Sequence, residues 1–441
     1  YLGLFLLFSF TLQFFWGVQL VSLFLPNNYF ISITSGILFM IAPPLTSRIT
    51  HVALTSHWLI LAAIWSYFNL TTTCQIKKTL IWQFFLILIS CGIHPYLTAM
   101  IFLIIIASYI QLCINNILSL KQTAIATLTS LLLLILGWYF FGYFTTSDSL
   151  GNQGFGLYST NLNSLINPMN NSLLIDGLPQ QTYQYEGYNY LGLGMIFLLL
   201  VTFFKWLFIS QKKLSFPIKN QPIIILAFLS ILFAISNRIY WGNTRILAYP
   251  IPFNLDDLFN VFRASGRFIW IFHYLLLLTI IIVTFKIWKR QELYVILPMM
   301  ILLQFVDFIP QHQAIRTIPN QSYNSSLLSK QWQQLSLNHN KLMVIPASQC
   351  SESPIFPIFE ILAAKQKMQT NTMYLARYDR EAYNFNCDKL PQLVADQKLE
   401  KDAVYVLDKK KYLKLYTQIN QNERNSHYCS KVDNFILCQK R

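Results

Sequence analysis

The sequence predicts a mainly α-helical membrane protein, a transmembrane bundle of about ten helices over residues 1–309 followed by a small soluble α/β domain over residues 310–441. Three observations carry this. Of 441 residues, 54% are hydrophobic and 12% are charged, about half the ~25% charge of an ordinary soluble domain. Apolar runs of roughly the 17–25 residues needed to cross a bilayer recur through the first part of the chain. Charge is also unevenly divided. Residues 310–441 hold 18 of the 33 Lys/Arg and 11 of the 18 Asp/Glu, leaving 15 and 7 for the first 309 residues.

The candidate spans are 1–20, 29–46, 51–69, 79–93, 96–115, 122–144, 190–210, 221–237, 267–285 and 291–309. The fourth is short and reads as a broken or tilted helix, because Gly92 and Pro95 lie at its end. The first run is already apolar at Tyr1, with no Met and no charged leader, so the chain reads as continuing upstream of Tyr1.

Basic loops set the direction of the helices. Lys77 and Lys78, Lys121, then Lys212, Lys213 and Lys219, then Lys286, Lys289 and Arg290 fall in alternate loops, which are therefore cytoplasmic. The opposite loops, 47–50, 94–95, 145–189 and 238–266, are external, as is the chain after Pro310. Loop 145–189 has no Lys or Arg at all. The net charge of +15 does not indicate a nucleic-acid partner, since so many of the cations serve topology rather than a basic patch on a soluble fold.

In the tail, 341–346, 372–375, 403–408 and 434–438 read as strands, and 355–367 and 409–420 as helices. Cys74, Cys91 and Cys113 lie in or beside apolar helices and read as inert, whereas Cys350, Cys387, Cys429 and Cys438 all lie in the external domain. Four cysteines allow three pairings, of which Cys350–Cys387 with Cys429–Cys438 is favoured. A metal site is disfavoured by the lack of a CxxC pair and by the isolation of His427.

Ionisable groups near the membrane are costly and mark candidate function. Four clusters fall on the external side. Arg48, His51, Ser56 and His57 are candidates to line a water-filled cleft; the alternative is that Arg48 snorkels and His57 serves a helix–helix contact. His94, in His94-Pro95-Tyr96, is presented at the next external turn or simply forms that turn. Glu186 and Tyr188 stand in Tyr185-Glu-Gly-Tyr-Asn-Tyr-Leu-Gly-Leu-Gly194, where a carboxylate suits a sugar hydroxyl, an amine or a metal, and where the aromatics also suit an interfacial belt. Arg263 and Arg267, in Phe262-Arg-Ala-Ser-Gly-Arg-Phe268, lie four apart and so on one side of a helix. They suit a phosphate, or salt bridges to Asp256, Asp257 or the tail. His51, His57 and Glu186 are the candidate acids and bases. Arg48, His94, Tyr188, Arg263 and Arg267 are the candidate substrate contacts. No GxxxxGK[ST], GxGxxG, HExxH or GxSxG occurs, which favours a donor activated by a lipid phosphate over a cytosolic nucleotide.

These four motifs resemble those of an uncharacterised family of bacterial polytopic membrane proteins similar in layout to the GT-C glycosyltransferases. The resemblance spans roughly residues 1–310 and the tail more loosely. It implies a multi-pass enzyme of the bacterial inner membrane with a periplasmic C-terminal domain. That enzyme would transfer a sugar from a polyprenyl-phosphate donor, with membrane lipid as partner. It also implies an acidic catalytic residue in a first external loop, upstream of Tyr1. No cofactor is implied, and a divalent metal stays open, as do the sugar, the acceptor and the oligomeric state. A transporter of lipid-linked glycans, or a non-catalytic subunit of envelope-glycan assembly, are the competing expectations.

Overall fold

A computed structural model describes residues 1–72, 75–144, 149–150, 154–209, 220–317, 325–350, 356–373, 375, 378–396, 398–408 and 427–440. Lys212, Lys213, Lys219, Cys74 and the expected helix at 409–420 lie outside the described residues, as do the side chains of Asp256 and Asp257. The chain divides into two compact units, one of residues 1–144 and 153–320, the other of residues 145–152 and 321–441.

The first unit is helical. It runs through α1 (Leu2–Phe24), α2 (Tyr29–Met40), the single turn α3 (Pro43–Thr46), α4 (Trp58–Thr72), α5 (Ile76–Cys91), α6 (Pro95–Ile114) and α7 (Leu120–Phe140). After the short strand β1 (Ser149–Leu150), which belongs to the other unit, come α8 (Leu193–Phe208), α9 (Gln221–Ile235) and a hairpin of β2 (Arg238–Trp241) and β3 (Thr244–Ala248). The unit ends with α10 (Phe253–Val261), α11 (Ile269–Ile287), α12 (Arg290–Asp307) and α13 (Ile309–Thr317).

A helix occupies each of the ten expected positions. Among the described residues, four helices are long and apolar enough to cross a membrane: Leu2–Phe24, Pro95–Ile114, Leu120–Phe140 and Ser265–Ile287. The pair Arg290–Asp307 and Ile309–Thr317, bent by 52°, makes a fifth if it counts as one span. The others are shorter for local reasons. α2 stops before Pro43 and Pro44, and proline disfavours the helical region for the residue before it. The expected span from residue 51 starts as a 3₁₀ turn, Val52–Thr55, and becomes α-helical only at Trp58. α5 is one unbroken helix of 16 residues rather than a broken one, and Lys77 and Lys78 lie inside its first turn.

Outward surfaces are apolar, as on Leu128 and Leu132 of α7 or Ile224 and Phe228 of α9, which suits lipid rather than water. Inside, polar side chains pair across helices: Gln83 of α5 donates to Ser66 and Ser108 at 3.0 Å each, and Tyr67 donates to Gln111 at 3.0 Å. α1 and α2 approach closely because Gly17 and Gly36 face each other; a Cβ on Gly36 would meet Val18 at 2.5 Å.

The second unit carries a five-stranded mixed sheet in the order β5-β4-β7-β9-β8, with β4 (Lys341–Ile345), β5 (Gln369–Thr370), β7 (Ala403–Asp408), β8 (His427–Val432) and β9 (Phe435–Lys440). β6 (Tyr378–Asp379) pairs instead with β1. The first three strands of the sheet are parallel and the last two close an antiparallel hairpin. One face packs on α14 (Phe356–Gln366) and Trp332, through Phe359, Val404, Val406 and Leu437. The other buries Ile345, Tyr405, Leu407 and Ile436 with Leu390 and Val394 of α16 (Leu390–Ala395), which follows the short α15 (Arg380–Asn384). Disulfides join Cys350 to Cys387 and Cys429 to Cys438. The strand expected at 372–375 is absent from the described part of that segment, and β8 was not foreseen.

Candidate functional site

Two turns meet backbone to backbone. The 3₁₀ turn Thr182–Gly187 carries Glu186, and the 3₁₀ turn Ser265–Phe268 carries Arg267 at the start of α11. A Cβ on Gly266 would lie 2.7 Å from the Cα of Gly187, and one on Gly187 would lie 2.5 Å from the Cα of Thr160. Only glycine at both positions permits this approach. The contact is tied by Gly266 N–H donating to the Tyr158 carbonyl at 3.0 Å and Thr160 Oγ1 donating to the Gly266 carbonyl at 3.1 Å.

That packing brings Arg267 onto Glu186 in a parallel fork: Nε donates to Oε2 at 2.9 Å and Nη2 to Oε1 at 2.8 Å. Arg48, following α3, arrives from the other side. Its Nη1 donates to Oε2 at 2.8 Å, and its Nη2 to the carbonyls of Tyr185 and Glu186 at 3.0 and 2.9 Å. Arg48, Glu186 and Arg267 are all buried. Each guanidinium also lies over an aromatic ring, Arg48 over Trp270 at 5.4 Å and Arg267 over Tyr96 at 4.6 Å. Tyr96 in turn accepts from the Ala264 N–H at 2.9 Å. Burial pushes the Glu186 carboxyl up, but the hydrogen bond from Arg267 and the charges of Arg48, Arg267 and His51 outweigh it and hold the group at about 2. Two cations and one anion leave the cluster at a formal +1.

The expected cleft is therefore not what Arg48 and His57 form. Arg48 is an ion-pair partner. His57 is fully buried, its Nδ1 within 2.7 Å of the Tyr274 hydroxyl and its ring 4.1 Å from that of Trp270. Ser56 is also buried, 3.5 Å from Ser9. His51 is exposed. Burial first, then the charges of Arg267 and Arg48, lower its pKa, with Glu186 opposing. His94 is half-buried and caps α6, its Nδ1 accepting from the Tyr96 N–H at 3.2 Å. Burial, then Arg267 and His51, draw it down to about 3, with Glu186 opposing. His51, His94, Arg267 and Glu186 thus share one electrostatic neighbourhood.

Two further expectations are corrected. Arg263 and Arg267 do not share a helix face, because α10 ends at Val261, Arg263 lies in the connecting stretch and Arg267 in the 3₁₀ turn. Arg263 is half-buried, 5.8 Å from the Tyr158 ring centroid, and Arg267 is committed to Glu186. Tyr188 is not a surface contact; it is 2% exposed and packs with Tyr190 and Phe308. Among the described residues no group of three His, Cys, Asp or Glu is arranged to hold a metal ion.

Sequence reasoning passed over Trp270, Tyr274 and Asp307. Trp270 and Tyr274 stand three and seven residues after Arg267, the spacing of one helix face, and that signal was readable. Asp307 accepts from Tyr190 Oη and the Leu193 N–H at 3.0 Å each, and from Ser172 Oγ. It holds the segment after Glu186 onto α12.

The family described as Domain of unknown function (DUF6311) matches residues 1–309, well over half of the chain. The chain belongs to the DUF6311 family. A companion, the DUF6311 C-terminal domain, matches residues 331–440. No curated protein and no solved structure matches the chain. Chemically, the site of this DUF6311 chain combines a fixed positive cluster with two imidazoles that are neutral at neutral pH. The exposed His51 imidazole can accept a proton, His94, held at about 3, cannot, and the cations favour an anion nearby.

Proposed function

We propose that this DUF6311 chain is a membrane-embedded glycosyltransferase of GT-C layout, with its ten helices arranged in the membrane, using a polyprenyl-phosphate-linked sugar at the external face. The observation that carries the reading is the exposed, neutral His51 beside the buried Arg48–Glu186–Arg267 cluster. In the transfer, an acceptor hydroxyl attacks the anomeric carbon, the bond to the lipid-phosphate oxygen breaks, and the phosphate leaves with the electron pair. His51 takes the hydroxyl proton. The net positive cluster and Arg263 stabilise the charge gathering on the phosphate. Glu186 acts as the brace of the two arginines, not as the base, because its oxygens are taken up by arginine donors and its low pKa, about 2, makes it a poor proton acceptor. The disulfides of the C-terminal unit support an external, oxidising location.

The test is transfer of labelled sugar from polyprenyl-phosphate donors by the protein in nanodiscs. Transfer abolished in His51→Ala, with unchanged melting, is the expected result. No transfer from any such donor, or full activity in His51→Ala, sinks the reading. A transporter of lipid-linked glycans is the second reading, favoured by the fully buried His57, His273 and Gln13 inside the bundle. Movement of labelled lipid-linked glycan across liposomes without covalent transfer would select it.

A further inference from the structure

The hairpin that follows α9 has a surface unsuited to water. β2 and β3 form a sheet of two strands only, and an isolated two-stranded hairpin is marginal in water. All five residues of β3 are exposed. Trp241 is 55% exposed, Ile246 60% and Leu247 52%.

The register sorts these side chains. Ile239 pairs with Leu247 and Tyr240 with Arg245, with an irregularity between the two pairs at which Ile246 is the extra residue. Side chains alternate across a strand. Ile239, Trp241 and Leu247 therefore share one face, and Arg238, Tyr240 and Arg245 the other. Arg238 and Arg245 are exposed. Among the described residues neither has a carboxylate within salt-bridge distance, and the sequence from 236 to 255 contains no Asp or Glu.

Length places this hairpin relative to a bilayer. α9 has 15 residues, which at about 1.5 Å per residue span about 22 Å. The hydrocarbon core is about 30 Å thick. α9 starts at Gln221, directly after Lys219 and Asn220, so its polar start belongs to a headgroup layer. Its far end then falls short of the opposite headgroups, and the chain enters the hairpin while still at apolar depth. The turn is fixed to the loop that carries Asn161: Nδ2 of Asn161 donates to the Gly242 carbonyl at 2.8 Å, and its Oδ1 accepts from the Gly242 N–H at 2.9 Å. β3 is left as the outer edge.

We propose that the β2–β3 hairpin is an interfacial anchor in the bilayer, its Ile239–Trp241–Leu247 face in the acyl boundary and its Arg238–Arg245 face against anionic lipid headgroups. Tryptophan and tyrosine are enriched at that depth, and basic residues there gain from anionic lipid. The ligand is a bilayer surface rather than a single soluble phosphate. The hairpin is joined through Asn161 to the loop that continues to Glu186, so its seating bears on the candidate site without depending on the reaction proposed there.

The experiment uses the full chain in nanodiscs, with Cys74, Cys91 and Cys113 replaced by serine and a nitroxide attached at Leu247→Cys. Depth is read as the ratio of oxygen to nickel-chelate accessibility by electron spin resonance. The reference label is at Leu328→Cys, an exposed position of the other unit. The expected result is a ratio several-fold higher at 247 than at 328. A ratio equal to that at 328, in discs of either phosphatidylglycerol or phosphatidylcholine, overturns the anchor. The headgroup assignment is tested with Arg238→Gln/Arg245→Gln, which leaves the ladder hydrogen bonds intact. The ratio at 247 should fall in phosphatidylglycerol and hold in phosphatidylcholine, and an unchanged ratio in phosphatidylglycerol overturns that assignment.

Discussion

Arg267 grips Glu186 through two parallel hydrogen bonds, Nε to Oε2 at 2.9 Å and Nη2 to Oε1 at 2.8 Å, while Arg48 holds the same carboxylate from the opposite side. Three parts of the chain, 138 and 81 residues away from Glu186 in the two cases, are fastened at one point. Removing the anion leaves two buried cations facing each other. Breaking a buried pair in this way typically costs about 3–5 kcal/mol. Glu186→Gln should therefore lower the thermal unfolding temperature in detergent markedly. Replacing all three groups together, as Arg48→Met/Glu186→Leu/Arg267→Met, should cost less than the single change, because no charge is then stranded. If Glu186→Gln melts with the parent protein, the cluster does not hold the fold.

Acid should unfold the protein in two stages. His94 is held at about 3, below the ordinary 6.5. Between these values the unfolded chain binds a proton that the folded chain refuses, so stability falls as pH drops below 6.5. Glu186 is held at about 2, below the ordinary 4.5. Its contribution is complete above 4.5 and is lost as pH falls from there towards 2. Melting temperature plotted against pH should show both declines. His94→Asn, which keeps a capping side chain, should make the first decline shallower and leave the second, the remainder of the first coming from other lowered imidazoles such as His51. A profile identical in the two proteins would count against the assignment.

The motifs that build this cluster were legible; their pairing was not. Arg48, Glu186 and Arg267 each stand out in the sequence as charges beside apolar runs, and the lysine-bearing loops assign all three to one side. Which cation takes which anion is a tertiary matter. Asp256 and Asp257 lie nearer to Arg267 in sequence than Glu186 does, and nothing local reveals the Gly187–Gly266 contact that brings the turns together. Helix type was legible from apolar runs, but helix length was not. The segment from residue 51 is apolar enough to suggest a helix, yet its first turn is 3₁₀ and Arg48 folds back onto Glu186 instead of facing a cleft. In the tail, β4 and β7 were readable as apolar runs. β8, whose sequence His427-Tyr-Cys-Ser-Lys-Val432 is largely polar, forms because it pairs with β9.

The two disulfides should differ in weight. Cys350–Cys387 closes a loop with a sequence separation of 37, and Cys429–Cys438 one of 9. By loop-closure entropy alone, these correspond to about 3.8 and about 2.6 kcal/mol. Cys429 and Cys438 also face each other across an antiparallel ladder that already fixes their distance. In the full-length protein, Cys350→Ser/Cys387→Ser should open residues 321–441 to protease more than Cys429→Ser/Cys438→Ser does. The reverse order would show that strand pairing, not loop closure, sets the stability of this unit.

The segment after Glu186 is seated on α12 through two glycines, and they should fail differently. Gly192 has φ +83°, and a Cβ there would lie 1.8 Å from Nε2 of Gln304. Gly194 has no such backbone demand, but its Cβ would lie 2.2 Å from the Met300 carbonyl oxygen, part of the α12 backbone. A glutamine side chain can swing away; a helix backbone cannot move without its neighbours. Gly194→Ala should therefore force α8 off α12 at an overpacking cost of about 1–3 kcal/mol or more. Gly192→Ala should lose the Gln304 bonds to the Leu191 carbonyl and the Met195 N–H, at 3.2 and 3.4 Å, and add left-handed strain. Restoring space with Gln304→Ala should rescue part of the Gly192→Ala loss and little of the Gly194→Ala loss. Gly3→Ala, with nothing within 4 Å of the new methyl, is the neutral control. Thermal unfolding of the five variants in detergent reads all of this, and equal rescue of both glycine variants would show that Gln304, not the α12 backbone, is what the two glycines accommodate.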